Sequence, residues 1–456
     1  MSLTPSSQLL LLTARWVLPI AKPPIDHGAV LVDGGNVLAV GPVDRLVAEH
    51  PDVARRDFGQ SAILPGFVNA HTHLDLSVLR GVGDDLPFVD WLIELRDKVG
   101  LLEEGDLSVS AATGALEALR SGITCVGDVS RGAAGLIAAR EAGLRGTAYL
   151  EVMGMDGREV GRTVEATARS LKECEGQTGP LLSLGVAPDA PYTVGPLLYR
   201  EICAFARAEG YPLVTHLGES PAEYQFVKYG ASALAHEFQE AMGWGEILWQ
   251  PMGCSPVKYL EQWGVYDGKL TAVHCVQVDG RDLDILERYE VGVVHCPRSN
   301  AKLGAGIAPL AEFIQRGLRV GLGTGSLAGS VSMDLFDEMR IGILLHRSRA
   351  RQVDNVGAEH FVRMATLGGA EVLGLDDRIG SLEPGKAADL IAVDLSRSHQ
   401  TPVREPYAAL VYTATEGDVL LTMVEGRTLY ERGEWKTLDS EAIKSRANQV
   451  REKMGS

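Results

Sequence analysis

Two patterns of apolar and polar positions divide this chain. From Leu9 to Ile20, and from Gly28 to Gly41 across Asp33-Gly-Gly-Asn36, short apolar runs punctuated by glycine predict strands, with Asp-Gly-Gly-Asn as a hairpin turn. Strand-rich segments return near the other end, Gly385–Asp394 and Leu420–Tyr430, so the two ends are expected to pair into one small β domain. Between them wholly apolar runs alternate with helical stretches. Asp106 is expected to cap a helix running to about Arg120, Gly122 ends it, and Ile123–Val129 reads as a buried strand. The same alternation predicts strands at 63–70, 145–153, 181–188, 212–217, 270–276, 291–296 and 318–324, which makes eight in all. The expected architecture is α/β, a (β/α)8 TIM barrel with a small β-sandwich domain formed by both termini. Residues 1–62 and 379–436 would form the β-sandwich domain, 63–378 the barrel, and 437–456 a C-terminal helix. The stretch Lys228–Trp263, with Trp244, Trp249 and Met252, is long for a connection; it reads equally as a lid over the barrel mouth or a surface helix with core-facing tryptophans.

Candidate chemistry sits where these strands end. In Leu64-Pro-Gly-Phe-Val-Asn-Ala-His71-Thr-His73 the two imidazoles are i and i+2 on a strand and face the same way, which suits one metal ion. Further strands deliver His216 with Glu219, His274, and His295 with Arg298 and Asn300, so five of the eleven histidines lie at apolar strand ends. A barrel gathers such scattered residues on one face, at the carboxyl ends of its strands.

Composition narrows the partners. A chain of 456 residues accommodates a barrel plus an accessory domain, and 60 acidic against 43 basic residues, without a basic block, exclude nucleic acid and anionic membrane as expected partners. The six cysteines, 125, 174, 203, 254, 275 and 296, form no CxxC pair, so reduced thiols and a cytoplasmic location are expected. The apolar run Leu9–Leu12 has no basic region before it and does not read as a signal peptide, and no run approaches the length of a membrane span.

Taken together, Pro65-Gly-Phe-Val-Asn-Ala-His-Thr-His73, His216-Leu-Gly-Glu219, His274, His295-Cys-Pro-Arg-Ser-Asn300 and Gly380-Ser-Leu-Glu-Pro-Gly-Lys-Ala-Ala-Asp-Leu390 resemble the amidohydrolase superfamily. The resemblance is to its aminohydrolases of purines, pyrimidines and triazines. It implies one divalent ion, zinc or iron, on His71, His73 and His216. It also implies Glu219 as proton shuttle and His274 as the group that orients the attacking water, with a possible fourth-ligand role. Homodimers are common in that family.

Two positions depart from the resemblance. The family's strand-eight Gly-Thr-Asp-Ser stands here as Gly323-Thr-Gly325-Ser326, so the expected carboxylate ligand and proton acceptor is missing. Three accounts stay open: a substitution in an otherwise ordinary deaminase, a four-histidine site with His274 as a ligand, as in some triazine hydrolases, or a nucleoside-binding protein without catalysis. In Ala187-Pro-Asp189-Ala-Pro-Tyr-Thr-Val194 an aspartate replaces the family's substrate-contacting histidine, and Asp189 is expected to accept from a sugar diol. His295, Arg298 and Asn300 are expected at the substrate, Arg298 either pairing with a carboxylate or bracing its loop. Trp91 either stacks on the purine or packs beneath the lid. The runs around His71, His216 and Gly253 resemble aminodeoxyfutalosine deaminases of menaquinone biosynthesis. Asp84–Leu92 resembles deaminases of S-adenosylhomocysteine and methylthioadenosine. A nucleoside altered at the 5′ carbon is the expected substrate, with aminodeoxyfutalosine first.

Overall fold

A computed structural model describes residues 9–455; residues 1–8 and 456, part of the first and last expected segments, lie outside the described residues. The chain ends build one mixed nine-stranded sheet. Its order across the sheet is Glu434–Trp435, Arg427–Glu431, Val419–Val424, Leu390–Asp394, Ser61–Pro65, Leu9–Val17, Ile25–Asp33 and Asn36–Pro42, with Ala54–Asp57 beside Leu9–Val17. The seam between the two ends is antiparallel, Ile63 facing Ala392, and the expected hairpin closes with Asp33 opposite Asn36. Alternate residues explain the pairing: Leu12 and Ala14, Val30 and Val32, Leu390 and Ala392, and Leu421 and Met423 project into one apolar core.

The second sheet is parallel and closed. Its strands are Phe67–His73, Ile123–Ser130, Arg145–Val152, Leu182–Pro188, Leu213–Leu217, Leu270–His274 and Gly292–His295, followed by an eighth in two pieces, Val320–Leu322 and Gly325–Ser326. The first piece pairs with strand seven, and the second returns to strand one with Gly325 opposite Thr72. Helices separate the strands and cover the outside, as the alternation predicts.

Two boundaries differ from expectation. The run expected as a single strand from residue 63 divides at Gly66: Ser61–Pro65 joins the terminal sheet and Phe67–His73 opens the barrel. A β carbon at Gly66 would lie 2.1 Å from Thr124 Oγ1, so only glycine passes this crossing between sheets. The helix expected to start at Asp106 begins two residues earlier, at Glu104, because Asp106 is not the cap but reaches back to accept from the Glu103 backbone N–H (3.0 Å). The C-terminal helix, Ser440–Lys453, lies against this one, and Lys453 meets Asp106 at 2.8 Å.

A buried ion pair fastens the terminal sheet to the barrel floor. Arg145, at the start of strand three, donates to Asp389 (2.7 and 3.3 Å) and Glu425 (3.1 Å), and Asp389 also accepts from the Glu425 N–H. Replacing Asp389 with alanine strands the guanidinium in a low-dielectric seam, so the expected loss is about 3–5 kcal/mol, measured by urea denaturation. A loss below about 1 kcal/mol would show that the two sheets hold together without it.

Candidate functional site

Three of the predicted histidines converge at the carboxyl ends of the strands. Ring nitrogens of His71, His216 and His274 all lie within 4.8 Å of one another, and Nε2 of His71 and of His216 are 3.2 Å apart. Nitrogens on a tetrahedral zinc at ordinary bond lengths sit about 3.3 Å apart, so the spacing fits one ion. His73 stands outside this group, which differs from the expected set of His71, His73 and His216. Its ring meets His71 edge-on at 4.9 Å and stacks on His216 at 5.6 Å.

Two of the three rings have a partner that aims them, while Nδ1 of His71 is buried without one. His274 gives Nδ1 to Asn300 Oδ1 (2.8 Å), which leaves Nε2 turned inward, 3.4 Å from Glu219 Oε1. The backbone at His274 and Cys275 has positive φ, 76° and 44°, a strained arrangement at the point where the strand must present its ring. His216 Nδ1 lies 3.0 Å from both the backbone oxygen and Oδ1 of Asp189. Glu219 is fixed by its own backbone: its N–H and that of Gly218 both donate to Glu223, at 2.8 Å.

Electrostatics concentrate one positive charge at this point. Burial, reinforced by the charge of His216, pushes His73 and His274 down to about 3 and His71 well below the usual range. At His216 burial also disfavours the charge, but the hydrogen bond and negative charge of Asp189, with Glu219, outweigh it and raise the group to about 9. A cation at the centre satisfies the same balance. Burial raises Glu219 to about 7, with His216 opposing and Asp189 adding to the shift.

Above the histidines opens a cleft lined by apolar and polar side chains. Leu76, Trp91, Leu92, Leu95, Phe238 and Met242 make its apolar wall, and Asp189, Gly325 and Ser326 lie in its lining. Phe238 and Met242 come from the long connection after Lys228, which therefore contributes to the mouth, whereas Trp249 is turned inward, stacked on Phe226 at 4.6 Å. Trp91 is buried in the wall with its indole N–H unpartnered.

Of the motif that follows strand seven, Ser299 lines the cleft, but the expected His295, Arg298 and Asn300 do not. Arg298 points away: its guanidinium bonds Glu338 (2.8 Å) and the Ser332 carbonyl (2.6 Å), so of its two expected roles it takes the loop brace and not the carboxylate contact. Asn300 reaches the site only through His274. His295 faces His346 instead, Nε2 to Nε2 at 3.1 Å. The sequence reading missed Arg131 and Glu151, which meet at 3.1 Å in the cleft wall, and also Glu223. Asking which polar residue ends each barrel strand would have found the first two, since Arg131 follows strand two and Glu151 is near the end of strand three.

The His295–His346 pair makes stability depend on pH. Burial, with Arg349, pushes His346 down to about 4, below its unfolded value near 6.5. The unfolded chain therefore binds the extra proton first. This stability is present above pH 6.5 and is lost as pH falls toward 4, at up to about 1.4 kcal/mol per pH unit. His346→Gln is expected to flatten the fall in Tm between pH 7 and 5; an unchanged slope would assign the acid sensitivity elsewhere.

No helix among the described residues is long and apolar enough to cross a membrane. The amidohydrolase family matches residues 62–429, and the bacterial imidazolonepropionase-like composite domain matches 28–52. A 5-methylthioadenosine/S-adenosylhomocysteine deaminase of Syntrophobacter fumaroxidans is 34% identical over 435 residues, covering 93% of each chain. A 5′-deoxyadenosine deaminase of Methanothermobacter thermautotrophicus is 31% identical over 434 residues, 92% of this chain and 93% of its own. A zinc-bound adenosine deaminase of Xanthomonas campestris superposes with a TM-score of 0.85 at 28% identity, covering 98% of both chains.

Proposed function

The chain belongs to the amidohydrolase family, and from that premise we propose that it is a metal-dependent hydrolytic deaminase of adenosines altered at the 5′ carbon. The observation that carries this reading is the meeting of His71, His216 and His274 with Glu219 at the base of an apolar cleft. Relatives named for methylthioadenosine, S-adenosylhomocysteine and 5′-deoxyadenosine support the substrate class. From those names we take S-adenosylhomocysteine as the first substrate to try, with methylthioadenosine and aminodeoxyfutalosine, the one placed first from the sequence, beside it. The opposed charges of Arg131 and Glu151 in the cleft suit the amino-acid end of that substituent.

His71, His216 and His274 would hold the ion, with His73 beside them. Zinc or iron bound there would supply a water acidified to near neutrality and a Lewis acid. The chain's own residues do the rest. Trp91, Leu92, Leu95, Phe238 and Met242 take up the purine face and exclude bulk water. His274, with its Nδ1 proton committed to Asn300, turns Nε2 inward as the nitrogen that would hold the ion. Glu219 accepts one proton from the water that adds to C6 of adenine and passes it to N1 of the ring, then takes the second from the new C6 hydroxyl and passes it to the departing amine, so that ammonia leaves and the C6 carbonyl forms. The product is the hypoxanthine nucleoside.

The test follows the ultraviolet change from adenine to hypoxanthine with zinc-loaded protein and S-adenosylhomocysteine, methylthioadenosine and aminodeoxyfutalosine in parallel. Turnover highest with S-adenosylhomocysteine is expected. Turnover of chlorotriazines alone would replace this reading with a triazine hydrolase, and tight nucleoside binding without turnover would replace it with a binding protein.

A further inference from the structure

We propose that Asp189 is a positioning residue of the metal site and supplies the negative charge that Gly325 withholds. The inference rests on reading the histidine cluster as a metal centre.

Asp189 follows strand four (Leu182–Pro188) and is 8% exposed. Both its oxygens are committed. Oδ1 stands 3.0 Å from His216 Nδ1, and Oδ2 accepts from the Thr193 hydroxyl at 2.6 Å. Thr193 is fixed in turn, its hydroxyl oxygen accepting from the Ala190 N–H at 3.0 Å. With Nδ1–H donated to Asp189, Nε2 of His216 is the nitrogen that faces His71 Nε2 and would bind the ion. A carboxylate behind a metal-bound imidazole fixes its tautomer and orientation and makes it a stronger donor.

Charge completes the argument. A divalent ion held by neutral imidazoles in a buried floor has no anionic ligand among them, and the strand-eight position that would provide one is Gly325. One carboxylate is missing from strand eight, and another stands on strand four, directly behind a ligand ring. Because Oδ1 is bound to the far nitrogen of His216, Asp189 provides charge and orientation rather than a proton acceptor for the water. The expected contact of Asp189 with a sugar diol becomes secondary.

The experiment measures zinc affinity by competition with a chromophoric chelator for the parent chain, Asp189→Asn, Gly325→Asp and the double variant. Asparagine still accepts from His216, so the comparison reads charge. Asp189→Asn is expected to weaken zinc binding 10- to 100-fold in the parent. With Gly325→Asp present the same change is expected to weaken it less than about threefold, since either carboxylate then suffices. Equal loss in both backgrounds overturns the proposal, as does parental zinc affinity in Asp189→Asn accompanied by a raised KM, which would return Asp189 to the substrate. A parent that takes up no zinc overturns both this proposal and the metal reading beneath it. Tm measured in excess chelator shows whether each variant is folded.

Discussion

Gly325→Asp is expected to raise kcat for the preferred nucleoside by about two orders of magnitude, the scale of a positioned general base. The geometry admits the side chain. A β carbon at Gly325 would meet Ser299 Oγ at 3.7 Å and Ser299 Cβ at 3.9 Å, ordinary contacts that require no displacement. The backbone is held independently of the side chain: Gly325 pairs with Thr72, whose hydroxyl donates to the Gly325 carbonyl, and Thr324 N–H donates to Asn69 Oδ1. Its φ of +65° is a conformation that aspartate tolerates better than most residues, at a cost of about 1 kcal/mol. The variant should therefore have a slightly lower Tm in chelator and a much faster turnover with zinc. An unchanged kcat would mean that Glu219 and His274 already carry all the proton work and that the strand-eight carboxylate is dispensable in this chain.

The parts of this site that are legible in the sequence are those fixed by local periodicity. His71 and His73 share a strand face because they are two residues apart, and His216, His274 and His295 end apolar runs that are recognisable as buried parallel strands. What the barrel closure decides is not local. Arg298 finds Glu338 forty positions onward, Arg131 finds Glu151 across neighbouring strands, and the Asp189 carboxylate meets His216 only because strands four and five lie side by side. Neither spacing nor composition marks these pairs. The split at Gly66 was hidden for the same reason, since the apolar run continues through it and only the approach of Thr124 sets the break. His73 illustrates the remaining limit: the strand period puts it on the same face as His71, but only the packing of four rings in one small volume sets its ring stacked on His216 at 5.6 Å, beside the three whose nitrogens lie within 4.8 Å of one another.

Glu219→Gln is expected to lower kcat about a thousandfold, with KM changed less than threefold and zinc affinity close to that of the parent. Glutamine keeps the shape and one acceptor but cannot carry a proton. The position itself is secured by Glu223, which holds the Gly218 and Glu219 backbone N–H groups, and by the left-handed turn at Gly218 (φ 59°), so the exchange leaves the local structure intact. The pH profile gives a second readout. Burial, opposed by His216 and aided by Asp189, holds Glu219 near 7, where it takes up and releases a proton at little cost around neutrality. It must be ionised to accept the proton of the water, so the parent rate should fall as pH drops below about 7. In Glu219→Gln that limb should shift, because the residue that titrates is gone and only the water acidified by the ion is left to titrate. A variant that keeps a tenth of the parental rate, or the parental limb unshifted, would move the shuttle to another group. His274 is the nearest alternative, with Nε2 3.4 Å from the same carboxylate, but its own pKa near 3 makes it a poor proton carrier at neutral pH. Glu219 is the group whose reach and proton affinity both match the task.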